Sequence, residues 1–133
     1  MPIRADWYDD TRKIIHLEFE GRLTWDDLYK ATESSLRLHD EAQGKVHTII
    51  DVVKVTSTPN LNVSAMQRVI RAGVGKHPNK GVSVITGARP LVRTVFSVFE
   101  RLYPTAMKGY RYAETVEAAL AMLEKEPTTS QPA

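Results

Sequence analysis

Four histidines, His16, His39, His47 and His77, are the residues best able to ligate a metal or move a proton in this 133-residue chain. No two have the spacing of a metal site such as H-x-x-x-H, which sets two imidazoles on one helical face. There is no cysteine. That removes disulfides, thiolate nucleophiles and cysteine-ligated metals together. Asp51, Ser57 and a histidine have the residue types of a hydrolytic triad, but nothing in the spacing sets an imidazole beside the serine. No catalytic constellation, metal or cofactor is therefore expected, and the chain reads as a protein that binds without reacting.

The chemistry the spacing does support is anion binding. Gly87-Ala-Arg-Pro90 opens a helix with free backbone N–H groups and a cation, although Gly87 also serves simply to turn the chain. Neither a P-loop nor a G-x-G-x-x-G pattern accompanies it, so a nucleotide is not expected. Residues 1–66 carry 8 Lys+Arg against 11 Asp+Glu, whereas residues 67–133 carry 10 against 5. Between Arg68 and Arg111 there are nine basic side chains and one acid, Glu100. Such a half is either an anion-facing surface or a set of solvated helix faces. Aromatic side chains are not interleaved with the basic ones as a stacking platform, which argues against nucleic acid.

The elements that position these residues follow from periodicity. Ile3–Tyr8 and Lys13–Glu20 alternate around the turn-forming Asp9-Asp-Thr-Arg12, which predicts an antiparallel hairpin with Ile15, Leu17 and Phe19 inward. Thr24-Trp-Asp-Asp27 has the form of a capping box before a helix with Trp25, Leu28, Tyr29, Thr32, Ser35 and Leu36 on one face. Val46–Asp51 and Gly81–Thr86 read as buried strands. After Asp51 a long irregular stretch runs to Val63, and Asp51 is either an anchor of the Thr56–Asn62 loop or a carboxylate satisfied by backbone N–H groups there. Ser64 is the expected cap of a second helix through Ala72.

A third helix from Pro90 has Leu91, Val95, Val98, Phe99 and Leu102 as its stripe, with Val92, Phe96 and Tyr103 widening the apolar arc. Excess apolar surface of that kind marks an interface, so a homodimer through Val92, Phe96 and Tyr103 is expected. Gly109–Tyr112 is a short last strand, and Thr115–Lys125 a closing helix. Residues 1–126 make one α/β domain with a mixed, mainly parallel sheet, and 127–133 read as a disordered tail. Met1–Asp6 lacks the apolar core of a signal peptide and no apolar run reaches membrane-spanning length, so a cytoplasmic location is expected.

With the order β-β-α-β-α-β-α-β-α in hand, the chain resembles the STAS domains, named for sulfate transporters and anti-sigma-factor antagonists, and more closely their stand-alone SpoIIAA-like branch. The residues that carry the resemblance are Gly21-Arg-Leu-Thr-Trp-Asp26, the strand ending Ile49-Ile-Asp51, Thr86-Gly87, and the ending Tyr110-Arg-Tyr-Ala-Glu-Thr-Val-Glu-Ala-Ala-Leu-Ala-Met-Leu123. The resemblance implies a bacterial regulatory module of signal transduction that binds a protein partner. It departs from the antagonists where they carry an Asp-Ser-Ser-Gly type motif for phosphorylation; here the chain reads Thr58-Pro-Asn-Leu-Asn-Val-Ser64. SpoIIAA-like proteins also share their architecture with Sec14-type lipid carriers, which implies an apolar or amphipathic ligand as the alternative.

Sites in parallel α/β sheets lie at the carboxyl ends of the strands. The expected binding surface therefore comprises Asp51, Thr56, Ser57, Thr58, Asn60, Asn62, Ser64 and Arg68, together with Thr86, Arg89 and Arg93. Of the nearby hydroxyls, Ser64 is the better phosphoacceptor than Ser57, because a helix N-terminus favours the added charge and Arg68 follows one turn later.

Overall fold

Alternation in the first twenty residues builds the edge of the sheet. In the computed structural model, which describes residues 3–126, β1 (Ile3–Trp7) pairs antiparallel with β2 (Ile14–Arg22). Asp9 holds the turn by accepting from the Thr11 backbone N–H at 3.0 Å. The chain continues through α1 (Trp25–Glu41), β3 (Val46–Ser57), α2 (Val63–Arg71), a short 3-10 turn (Val74–Lys76), β4 (Lys80–Thr86), α3 (Pro90–Leu102), β5 (Tyr110–Ala113) and α4 (Val116–Glu124). The five strands lie in sequence order, and every pair after the first is parallel. The segment 127–133 expected to be a tail lies outside the described residues.

Three helices cover one face of this sheet and one covers part of the other. Ile15, Leu17, Phe19, Ile50, Val52 and Ile85 meet Ala31 of α1, Met66 of α2, and Val92, Val95, Phe96 and Phe99 of α3 in the main core. Behind the sheet, Ile49 and Val84 meet Ala119 and Leu123 of α4. That double coverage explains why β3 is buried without interruption from Val46 to Val52. α4 packs over β3, β4 and β5, so the rear of β1 and β2 carries charged side chains instead.

Helix α1 starts as its sequence predicts. Thr24 Oγ1 accepts from Asp27 N at 3.1 Å while Asp27 Oδ2 accepts from Thr24 N at 3.2 Å. Its buried line is Ala31, Ser35 and His39. The His39 Nδ1–H donates to the Ser35 carbonyl at 2.7 Å, and burial pushes the imidazole below its usual pKa. His47, also buried, accepts from Val82 N through Nδ1 at 2.9 Å, and burial depresses its pKa as well.

Three expectations need correction. β3 does not end at Asp51 but runs on to Ser57, because Val52 and Val55 still face the core and β2 stays paired alongside as far as Arg22. The cap of α2 is Asn62, whose side chain accepts from Ala65 N at 3.0 Å; Ser64 lies inside the first turn. α3 is rotated from its expected stripe. Val92 and Phe96 are 3% and 8% exposed, whereas Leu91 and Leu102 are 66% and 47% exposed. Val92 and Phe96 are thus core and Tyr103 packs half-buried against it, so these side chains do not form the exposed dimer face expected of them.

Candidate functional site

A turn at Gly87 and a helix start at Pro90 bring β3 beside the start of α3. Gly87 turns the chain out of β4 at a φ of +72°, and a Cβ there would lie 2.7 Å from the Val53 Cβ, so only glycine lets β3 and this turn approach so closely. Pro90 then occupies the first helical position. Arg89 is the N-cap residue and gives no side-chain cap, which leaves the first N–H groups of α3 available to a ligand. Between these elements lies a cleft of about 320 Å³, lined by Val55, Thr56, Ser57 and Thr58 on one side and Arg89–Val92 on the other. Hydroxyls, a guanidinium and an uncapped helix end in one cleft suit an oxyanion.

The remaining predicted residues divide between other places. The Asn60 carbonyl accepts from Trp25 Nε1 at 2.7 Å, and Trp25 in turn packs edge-on against Phe99, which ties the 58–62 loop to the core. Ser64 and Arg68 line a separate hollow of about 230 Å³ with Tyr29, Gln67 and Arg71. There the Arg68 guanidinium sits 3.8 Å from the centre of the Tyr29 ring. Arg93 stacks 4.5 Å from the Tyr112 ring, and the Tyr112 hydroxyl donates to Glu100 Oε1 at 3.0 Å. Burial and that carboxylate push the Tyr112 hydroxyl up to about 12. Arg93 is thereby held on the flank of α3 toward β5.

Asp51 and Thr86 belong to neither hollow. They pair in register on the rear face of the sheet, opposite α2 and α3, and both are buried. Asp51 Oδ1 accepts from Val53 N at 3.2 Å and Oδ2 faces His16 at 3.5 Å, so it does not anchor the Thr56–Asn62 loop. The sequence reading missed the exposed apolar residues of the rim, Leu61, Val63 and Leu91 at 58%, 60% and 66% exposure. Their position beside Asn62 and Pro90, two helix starts, was the available signal.

The hollow under α3 is real but small. It measures about 100 Å³ and is lined by Leu28, Ile50, Val69, Phe96, Phe99 and Met107, with the hydroxyls of Thr32, Ser35, Thr48 and Ser83 nearby.

An antiparallel edge hairpin followed by three parallel strands, with helices unequally divided between the faces, is the arrangement of a STAS-like domain. The chain is similar over 91% of its length, and 96% of the other's, to an anti-sigma-factor antagonist (STAS) domain protein from Planctomyces limnophilus, with a TM-score of 0.61 at 17% identity. It is also similar to the anti-sigma factor antagonist SpoIIAA in its unphosphorylated form, over 92% of this chain and 98% of that one, with a TM-score of 0.51 at 12% identity. No protein-family model and no curated protein matches the sequence. At these identities the likeness establishes the STAS-like fold.

Proposed function

We propose that this domain is a regulatory, non-enzymatic module that binds a protein partner at the carboxyl rim of its sheet, in the manner suggested by its anti-sigma-factor antagonist neighbours. The observation that carries the reading is the β3–α3 cleft, where Arg89 and the uncapped start of α3 face Thr56, Ser57 and Thr58. An acidic or phosphorylated side chain of the partner fits that seat, and Leu61, Val63 and Leu91 supply apolar contact around it. A cytoplasmic, bacterial setting belongs to the same reading. The partner in this reading is a different protein; of the α3 residues expected to carry a homodimer, Val92 and Phe96 are core.

Ser64 is the residue of this surface we assign to phosphorylation. It is exposed in the first turn of α2, with Arg68 and Arg71 in the same hollow. A phosphate there meets free N–H groups and two guanidinium groups. Ser57, at the far end of β3, lines the anion cleft instead and would block it if modified.

Inorganic phosphate titrated at low salt tests the cleft. Amide shifts at 56–58 and at 89, 91 and 92, lost in Arg89→Ala and at 0.5 M salt, support it; no shift at millimolar phosphate removes it. The alternative of an apolar-ligand carrier draws on the hollow under Phe96. At about 100 Å³ it falls short of the ~300–1,000 Å³ of ordinary ligand pockets, so a lipid does not fit without opening the helices.

A further inference from the structure

We propose that the rear face of the sheet holds a site for one divalent first-row transition cation, ligated by His16, Glu18 and Asp51. These three side chains offer one imidazole nitrogen and two carboxylate oxygens, all within 4.8 Å of one another. They come together by register. His16 and Glu18 alternate onto one face of β2, and Glu18 lies directly across from Asp51 of β3. The His16 Nε2 to Asp51 Oδ2 distance is 3.5 Å, without hydrogen-bond geometry. Neighbouring ligands around a cation with bonds of ~2.1 Å sit about 3.0–3.4 Å apart, so a shift of a few tenths of an ångström completes that edge.

The second observation is Thr86. It is 1% exposed, pairs in register with Asp51 on the same face, and its Oγ1 has no hydrogen-bond partner among the described residues. A buried hydroxyl left unpaired is costly, and native proteins rarely leave one so without an ion or water beside it. A water on the cation would accept from or donate to this hydroxyl and hold it in place. Asp51 is already oriented, because Val53 N–H engages Oδ1 at 3.2 Å and leaves Oδ2 toward His16.

The donor set decides the class of ion. One imidazole and two carboxylates, with no thiolate in the chain, suit Zn²⁺, Mn²⁺ or Fe²⁺ rather than a soft monovalent metal. Three protein ligands leave coordination positions for water, as in an open site. Two cations now balance Glu18 loosely, Lys54 Nζ at 3.9 Å and Arg4 Nη1 at 3.7 Å. A bound metal ion replaces the Lys54 contact. This site is on the opposite face from the partner cleft, and neither proposal depends on the other.

Zn²⁺ titrated calorimetrically into the intact protein, and Mn²⁺ added at a tenth of stoichiometry while amide signals are watched, form the test. One Zn²⁺ per chain is expected, weakened at least tenfold in His16→Ala and in Asp51→Asn, and severalfold in Thr86→Val. Lys54→Ala should tighten binding by removing the competing ammonium. Mn²⁺ should broaden residues 16–18, 51 and 86 first in the unaltered protein, which decides the matter even if a variant fails to fold. Unchanged Zn²⁺ affinity in folded His16→Ala and Asp51→Asn, broadening centred on His77 and Asp40, or no binding at millimolar metal would each overturn the proposal.

Discussion

Replacing Gly87 by alanine should destabilise the protein by about 2–5 kcal/mol, and the figure can be divided. A left-handed backbone costs an alanine roughly 1–2 kcal/mol, and Gly87 has a φ of +72°. Crowding adds about 1–3 kcal/mol, because the new Cβ meets the Val53 Cβ at 2.7 Å and Val53 Cα at 3.0 Å. Gly21 separates the two contributions. Its φ is nearly the same, +78°, but a Cβ there meets nothing within 4 Å, so Gly21→Ala should cost only the backbone share. Urea unfolding of both variants measures the difference. Because Gly87 sets β3 against the start of α3, the alanine variant should also weaken phosphate binding, whereas Gly21→Ala should not. Equal destabilisation of the two variants, or a neutral Gly87→Ala, would refute the close approach on which the cleft is built.

Stability should fall as the pH drops through about 6.5. Burial holds His39 and His47 below the ordinary histidine pKa, so the unfolded chain takes up protons that the folded chain refuses, at up to about 1.4 kcal/mol per pH unit for each group. Urea midpoints at pH 7.5, 6.5 and 5.5 check the sign, and His39→Leu should flatten the dependence. Thr24→Ala should cost about 1–2 kcal/mol by opening the capping box at α1, read from thermal unfolding. Leu91→Ser should leave stability within about 0.5 kcal/mol, since the side chain is 66% exposed, whereas Val92→Ser should cost several kcal/mol. A reversal of that order in urea unfolding would restore the stripe read from sequence.

Local chemistry was legible wherever one short segment decides the outcome. The Thr24 capping box, the Ile15–Leu17–Phe19 alternation, Pro90 at a helix start and the turn at Gly87 all stand in the structure as their residues dictate. α3 was harder because apolar residues occupy most of its surface, and the periodicity of Leu91, Val95, Val98 and Leu102 is nearly as good as that of Val92, Val95, Phe96 and Phe99. Only the packing of the sheet beneath selects between them. The end of β3 was misread because Thr56 and Ser57 look like loop residues, yet β2 continues alongside and supplies their hydrogen-bonding edge.

The candidate site was legible in part for the same reason. Thr56, Ser57, Thr58 and Arg89 meet because both β3 and β4 end at one edge of the sheet, which topology alone implies. Asp51 and Thr86 share that sequence neighbourhood but point to the other face, because strand residues alternate and their register with β2 is set by partners far along the chain. The grouping of His16, Glu18 and Asp51 depends on the same register and has no signature in spacing.

The partner surface is tested most directly by a photo-crosslinking amino acid placed at one position at a time in the protein produced in its native host. Leu91 and Leu61 probe the rim, while Glu41 at the end of α1 and Glu124 at the end of α4 are exposed controls away from it. The account predicts one discrete protein adduct from positions 91 and 61, lost when Arg89→Ala is added, and none from positions 41 and 124. Adducts formed equally at all four positions, or only at Glu124, would contradict it.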